Sequence, residues 1–493
     1  MSSTGVSLNI VETLKTCITA ALCSQRYILN DVLRIQEALG NPLEEEDRDS
    51  EQRVSNPSIT FSPDTPVSSS EGGGGDSLSP LLEDSQHLQG SMQLTEQQQS
   101  RLRRSICHSL DVASKGELEH RATSTTDLVT SADVMVQHVV EAFLNADFGR
   151  GNEQPSNVKP WLPFTVVGEE EDEATEVSED VTIRNANAVS GSFRYRVALT
   201  DQEAQLIGSL DAHMETHKWG AKDFEITDKS WDALRPRVAI FIDPIDGTNA
   251  FVEGELHVPM TLIGIAVDGV PIAGVVNRVF LTDGSGAMNT GSLSIACRSL
   301  RSIHSHSLPP SSEPIPQPFV VLSGTVVEDV SSLTTASSSR GVGASIDASE
   351  RVLAVTYSAS TKASILDPAL QKLAPRSDVP ARGAGYKIMM VVDGISVGGA
   401  SQGTTADLFV SPNAAIKKWD SCAPHAILAA LGGTATDMFG TPITYRVVVA
   451  EDGGDMCRKE TISLRNGFVG MSGDAVHSDS KKAPLMSQWF PPN

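Results

Sequence analysis

The stretch Phe241-Ile-Asp-Pro-Ile-Asp-Gly-Thr248 places two carboxylates, a proline, a glycine and a threonine at the end of an apolar run. Asp243 and Asp246 can each bring a hard anionic oxygen to a divalent cation. Mg²⁺ favours a few carboxylates plus substrate phosphate oxygens over an all-protein cage. Pro244 stiffens the turn between the two acids. Gly247 and Thr248 present backbone N–H groups where a helix can start, which suits a phosphate. The bland alternative is an Asp-rich surface turn after a strand.

The surrounding residues supply the elements that must position these groups. Val238-Ala-Ile-Phe-Ile242 is a short β-branched, apolar run and predicts a buried strand. Thr126-Asp-Leu-Val-Thr-Ser-Ala-Asp133 leads into Val134-Met-Val-Gln-His-Val-Val-Glu-Ala-Phe-Leu144, whose apolar period is helical, so Asp133 falls near a helix start. Val166-Val-Gly-Glu-Glu170 is a second strand end with paired acids. Lys418-Trp-Asp-Ser-Cys-Ala-Pro-His-Ala-Ile-Leu-Ala-Ala-Leu-Gly-Gly433 puts Asp420 at the entry of a helix that closes on Gly432-Gly433. Acids at separated element edges can converge on one metal cluster.

TDLVTSAD, GEE, DPIDGT and WDSCAPHAILAALGG occur here in the order seen in the Mg²⁺-dependent, Li⁺-sensitive phosphomonoesterases, and over about residues 100–475 the chain resembles that family. The family holds inositol monophosphatases, bisphosphate nucleotidases, inositol polyphosphate 1-phosphatases and fructose-1,6-bisphosphatases. The resemblance implies an α/β fold, a layered α/β/α/β/α sandwich, with catalysis between its halves. It implies two or three Mg²⁺ per site, inhibition by Li⁺, and a small phosphorylated substrate cleaved by metal-activated water. By the same resemblance, Glu169, Asp243 and the Ile245 carbonyl hold a first metal; Asp243, Asp246 and Asp420 hold a second; Glu170 and Asp133 border a third. Asp133, Thr248 and Glu169 are the implied catalytic residues, Asp133 and Thr248 orienting and deprotonating the water. Asp127 bonds Thr248 or shapes its turn. Asp246 and the amides of Gly247 and Thr248 face the scissile phosphate. Gly383-Ala384-Gly385 and Lys387 receive a second phosphate at a helix start, and Thr325 lies in a loop that contacts inositol or ribose. Val326-Val327 follow that loop where both candidate branches have basic or histidine character.

Two branches compete. Residues 181–236 form a long connection between the GEE and DPIDGT motifs, as in inositol polyphosphate 1-phosphatases, with Thr200 and Glu203 predicting a capping box. Ser421-Cys-Ala is also close to that form. DPIDGT and Ser411-Pro before Lys417-Lys-Trp lean instead toward 3′(2′),5′-bisphosphate nucleotidases. The insert carries more weight, because motif wording drifts by single substitutions. The expected reaction is therefore removal of the 1-phosphate from inositol 1,4-bisphosphate and inositol 1,3,4-trisphosphate, with the nucleotidase reaction on 3′-phosphoadenosine 5′-phosphate as the alternative. A simple monophosphatase is disfavoured by the insert, and a non-enzymatic scaffold by the full set of acids.

Composition sets the background. The chain has 493 residues and a formal charge of −24, which argues against nucleic acid or anionic membranes as partners. Glu44-Glu-Glu-Asp-Arg-Asp49 and most of Glu169–Glu173 read as solvated loop charge. The six cysteines lack zinc spacing and predict reduced thiols in a cytoplasmic protein, Cys422 being a small core residue. No apolar run approaches ~20 residues, and the first residues lack a signal-peptide layout. His257 and His425 fall outside the acid turns, which disfavours a phosphoenzyme. Residues 1–43 predict one or two helices, 44–98 a disordered Ser/Pro/Gly-rich insert, 99–280 and 281–475 the two α/β halves, and 476–493 a flexible tail.

Overall fold

The computed structural model describes residues 5–40, 112–117, 126–149, 161–170, 200–280, 292–304, 315–327, 352–373, 375–396, 405–447 and 462–472. The expected disordered insert at 44–98, the first part of the long connection, and the tail at 476–493 lie outside the described residues.

The chain enters through a short strand, β1 (Val6–Asn9), and one helix, α1 (Ile10–Gly40). The Asn9 side chain accepts from the Val11 and Glu12 amides at 2.9 and 3.1 Å, which starts the helix. Next come β2 (Ala113–Glu117), β3 (Thr126–Val129), α2 (Ser131–Phe148) and β4 (Thr165–Gly168). The long connection builds α3 (Asp201–Thr216) and β5 (Glu225–Asp228), and β5 pairs antiparallel with β1. The Thr200/Glu203 capping box is present: the Thr200 hydroxyl accepts from the Glu203 amide, and the Thr200 amide donates to the Glu203 carboxylate at 2.7 Å.

Strand β6 (Val238–Asp246) is buried along its whole length. After α4 (Thr248–Val252), the strands β7 (Met260–Val267), β8 (Val270–Arg278), β9 (Leu293–Cys297), β10 (Phe319–Leu322) and β11 (Thr325–Val327) continue one seven-stranded sheet, in the order β11-β10-β9-β8-β7-β6-β4. The expected division at residue 280 therefore falls too early. Strand β9 pairs with β8, and β10 with β9, so residues up to 327 belong to the first sheet. Among the described residues the second sheet has five strands: β12 (Leu353–Ser358), β13 (Arg376–Ala381), β14 (Leu408–Ser411), β15 (Thr434–Thr436) and β16 (Phe468–Met471).

Helices fill the remaining layers. Residues of α1, α2 and α3 pack with Ile240, Ile242, Ile263 and Val275 on one face of the first sheet. Between the sheets lie α6 (Ala384–Ser396) and α7 (Lys418–Ala430), where Met260, Leu262 and Val276 meet Ile388, Ile427, Phe409 and Phe468. On the far face of the second sheet, Leu366, Ala369 and Leu370 of α5 (Ala363–Gln371) pack with Val355, Leu408 and Val410. The result is the α/β/α/β/α sandwich expected. Both faces of the first sheet are covered, which is why its strands read as unbroken apolar runs rather than alternating ones.

Candidate active site

Asp243 and Asp246 are an odd number of residues apart, so a regular strand would point them to opposite faces. Strand β6 avoids this with an irregularity. Asp243 pairs with Leu262 and Asp246 with Met260, giving β6 one more residue than β7 across the same interval. Pro244 has no N–H to lose from the ladder, and its carbonyl accepts from the Thr261 hydroxyl at 2.9 Å. Gly247 follows at φ +87°, a left-handed conformation, and a Cβ there would lie 2.8 Å from Val258 Cγ1.

Asp420 joins from α7. Its carboxylate accepts from the Lys417 amide at 2.5 Å, capping the helix. The helix reaches this depth because two strand glycines admit it: a Cβ on Gly264 would meet the Ala423 amide nitrogen at 2.6 Å, and one on Gly274 the Ala423 carbonyl oxygen at 2.4 Å. Carboxylate oxygens of Asp243, Asp246 and Asp420 all lie within 4.8 Å of one another.

That arrangement is electrostatically costly without a cation. Burial holds Asp243 well above the usual carboxylate range, and the nearby charges of Glu169, Asp246 and Asp420 raise it further. Asp420 is also pushed well up, by burial first and then by Asp246 and Glu169. Asp243 Oδ1 is buried and has no hydrogen-bond partner among the described residues. A hard divalent cation fits this donor set, because it would satisfy the orphaned oxygen and neutralise the repulsion together.

Glu169 follows β4 directly, and its amide donates to the Ile242 carbonyl at 3.1 Å. That bond sets its carboxylate close enough to act on both Asp243 and Asp420. Glu170 is buried, and its amide donates to Gln137 Oε1 at 2.9 Å. Gln137 lies on α2, four residues after Asp133. A Cβ on Gly168 would be 2.3 Å from Gln137 Nε2, so the Gly168-Glu-Glu turn is shaped around this side chain. Sequence reasoning missed Gln137, which reads there as one more helical polar residue.

Asp133 is fully buried in a capping box with Thr130: Oδ2 accepts from the Thr130 amide at 2.7 Å and its hydroxyl at 2.6 Å. The other oxygen, Oδ1, accepts from the Thr248 hydroxyl at 2.9 Å. The same hydroxyl lies 3.0 Å from the Ile245 carbonyl, an alternative acceptor for its one proton. Thr248 is therefore bound by Asp133; the Asp127 side chain lies outside the described residues.

The substrate-side expectations fare differently. The amides of Ala384 and Tyr386 donate to the Asp246 carboxylate at 2.8 and 3.1 Å. A Cβ on Gly383 would sit 2.9 Å, and one on Gly385 3.1 Å, from Asp246 Oδ2. The helix start that looked ready for a second phosphate is filled by Asp246 of the chain itself. Lys387 is buried, donates to the Gly383 carbonyl and lies 5.5 Å over the Phe409 ring. Burial raises Asp246, while the Lys387 ammonium and the Tyr386, Gly385 and Ala384 amides act against the rise. Lys387→Met should thus lower the melting temperature and weaken turnover of mono- and bisphosphorylated substrates by similar factors. Differential scanning fluorimetry and parallel kcat/KM measurements check this; a loss confined to bisphosphates would show that Lys387 meets substrate.

Thr325 opens β11 after a tight turn in which Ser323 and Gly324 both have positive φ. Its side chain lies outside the described residues. Lys417 Nζ donates to Ser463 Oγ and Lys418 Nζ to the Arg446 carbonyl, each at 2.7 Å, so both ammonium groups brace the chain. His425 lies 3.0 Å from the Tyr445 hydroxyl and burial lowers it to about 3, which keeps it neutral. His257 packs edge-on against Tyr386, 5.6 Å between centroids. Cys17, Cys23, Cys297 and Cys422 are buried thiols.

Residues 174–463, more than half of the chain, match the model of the inositol monophosphatase family. The chain belongs to that family. As an inositol monophosphatase-family protein it is a phosphoric monoester hydrolase. Asp133, Glu169 and Glu170 precede the matched span. The protein is 25% identical over 329 residues to 3′(2′),5′-bisphosphate nucleotidase 1 of Rattus norvegicus, covering 66% of this chain and 75% of that protein. It is 25% identical over 354 residues to inositol polyphosphate 1-phosphatase of Mus musculus, covering 66% and 76%. A bisphosphate nucleotidase 1 of Dictyostelium discoideum is 31% identical over 206 residues, covering 42% of this chain and 54% of that protein. Among the described residues no helix is long and apolar enough to cross a membrane.

Proposed function

We propose that this phosphatase is a cytoplasmic enzyme that removes the 1-phosphate from inositol 1,4-bisphosphate and inositol 1,3,4-trisphosphate in a Mg²⁺-dependent, Li⁺-sensitive reaction. The observation that carries metal-assisted phosphoester hydrolysis is the Asp243/Asp246/Asp420 triad, with Asp243 and Asp246 buried and Asp420 half-buried, and an orphaned oxygen on Asp243. Asp243, Asp246, Asp420, Glu169 and the Ile245 carbonyl are the proposed Mg²⁺ ligands, with Glu170 and Asp133 bordering a weaker third position. When bound, the cations supply charge screening for the phosphate dianion and acidify water beside it.

The chain's own residues do the rest. Asp133 Oδ1 holds the Thr248 hydroxyl, so the hydroxyl oxygen keeps lone pairs for an incoming water. The water's proton passes to Thr248 Oγ1 as the Thr248 proton passes to Asp133, hydroxide attacks phosphorus opposite the leaving oxygen, and as that P–O bond breaks the alkoxide takes a proton from solvent water. The Gly247 and Thr248 amides face the phosphate oxygens. Helix α6 orients Asp246 through backbone donors that need no rearrangement.

The inositol reading rests on the long connection between the GEE and DPIDGT motifs, whose α3 packs into the outer core through Leu206 and Leu210. A nucleotidase acting on 3′-phosphoadenosine 5′-phosphate is the second reading, favoured by DPIDGT itself and by the more identical Dictyostelium relative. Phosphate release from inositol 1,4-bisphosphate, inositol 1,3,4-trisphosphate, 3′-phosphoadenosine 5′-phosphate and inositol 1-phosphate, with Mg²⁺, with chelator and with millimolar Li⁺, separates them. The highest kcat/KM on the inositol polyphosphates, lost in chelator and suppressed uncompetitively by Li⁺, is the expected result. A preference for the adenosine compound transfers the assignment to the nucleotidase.

A further inference from the structure

The proposed substrates carry a second phosphate, yet the cation that the sequence offers for it, Lys387, is turned inward, and the α6 amides are bound to Asp246. The structure supplies another cation. Arg278 ends β8 and lies in register with the site: Asp246 pairs with Met260, and Met260 with Arg278. At the spacing of neighbouring strands, the Arg278 backbone is about 10 Å from that of Asp246, in directly opposed register, so the two side chains leave the same face of the sheet.

The guanidinium is held rather than loose. Its Nη2 donates to Asp393 of α6, and its Nη1 lies 3.4 Å from Ser323 Oγ in the β10–β11 turn. Its three other N–H donors, one on each nitrogen, meet no acceptor among the described residues. Ser323 is exposed, and Tyr386 of α6, which orients Asp246 through its amide, senses the Arg278 charge. One side of the guanidinium is thus fixed by a carboxylate, while donors remain for an anion on the substrate side. Fixing the fork removes rotamer entropy that a free surface arginine would lose on binding.

We propose that Arg278, braced by Asp393 and Ser323, receives the non-scissile phosphate of a bisphosphorylated substrate and so determines specificity for bisphosphates over monophosphates. This rests on the bisphosphatase reading above. It also accounts for the valines after the Ser323-Gly-Thr325 turn: the cation comes from the adjacent strand instead.

The test measures kcat and KM on a bisphosphate and on inositol 1-phosphate for wild type, Arg278→Gln, Arg278→Lys and the double variant Arg278→Gln/Asp393→Asn. The double variant leaves no half-buried carboxylate without its partner, so it answers even where the single glutamine variant fails to fold. The ratio of kcat/KM for bisphosphate over monophosphate should fall about ten- to a hundredfold in the double variant, mainly through KM, with partial recovery in the lysine variant. If wild type prefers bisphosphates and the ratio stays unchanged in the double variant, the Arg278 assignment is overturned and the bisphosphatase reading stands. If wild type shows no preference for bisphosphates, both fall.

Discussion

Asp243→Asn is expected to lower kcat by about a hundred- to a thousandfold while making the metal-free protein more heat-stable. The two effects share one cause. Asp243 is raised by burial and by Glu169, Asp246 and Asp420 around it, so in chelator its charge opposes folding at neutral pH. The sign follows from proton binding: the folded state holds the proton to higher pH than the unfolded chain, so this group's unfavourable contribution grows as pH rises from the ordinary carboxylate range through the raised value. Asparagine removes that contribution. It also removes the charge at the centre of the triad, and losing a single preorganised electrostatic group alone costs about a hundred- to a thousandfold in kcat. Melting curves with and without Mg²⁺ complete the test. Wild type should gain stability on adding Mg²⁺, and the variant should gain little. A folded variant that keeps a tenth of wild-type turnover would remove Asp243 from the metal site.

The pair Asp133 and Thr248 is expected to behave as one unit. Thr248→Val deletes the hydroxyl that Asp133 Oδ1 accepts from. Asp133→Asn can keep its oxygen toward the two Thr130 donors, so the α2 cap survives, but it then turns an amide N–H₂ toward the threonine. Either change breaks the route for the water's proton, and positioned proton transfer contributes about 10²- to 10⁴-fold. Each single variant should lose kcat in that range, and the double variant should lose little more than the worse single. Losses that multiply would mean that the two residues act on different steps. KM should move less than kcat in all three, because neither side chain is assigned to substrate affinity.

Much of this site was readable because its local signals are strong. The Val238–Ile242 run became the buried strand expected of it, and Thr200 and Glu203 formed the capping box their spacing suggested. Short-range rules fix each of the three aspartates at its element's end, an acid at a strand end or in the first turn of a helix, and the packing of α7 on the first sheet then brings them together. What could not be read depends on contacts between distant segments. Nothing local to Gly383-Ala-Gly-Tyr-Lys387 shows that Asp246 will take its amides, because that pairing is set by how α6 lies against β6. Gln137 and Arg278 were overlooked for the same reason: each is an ordinary polar residue until the register of a neighbouring strand or turn gives it a partner. The division at residue 280 failed because strand pairing, not motif order, decides which sheet a strand joins.

Gly264 and Gly274 bring α7 against the first sheet at Cys422 and Ala423, by main-chain contact at Gly274 and with only the short Cys422 side chain beside the backbone at Gly264, so little is left to absorb error. The position of Asp420 relative to Asp243 is therefore a matter of volume at two residues that carry no chemical group at all. One methyl at either would act as a wedge under the helix, and it would be felt at the helix's first turn. A displacement of an ångström at a catalytic centre can cost about a hundredfold in rate. The residues to which this enzyme is most sensitive thus include two whose only contribution is to be absent from the space they border.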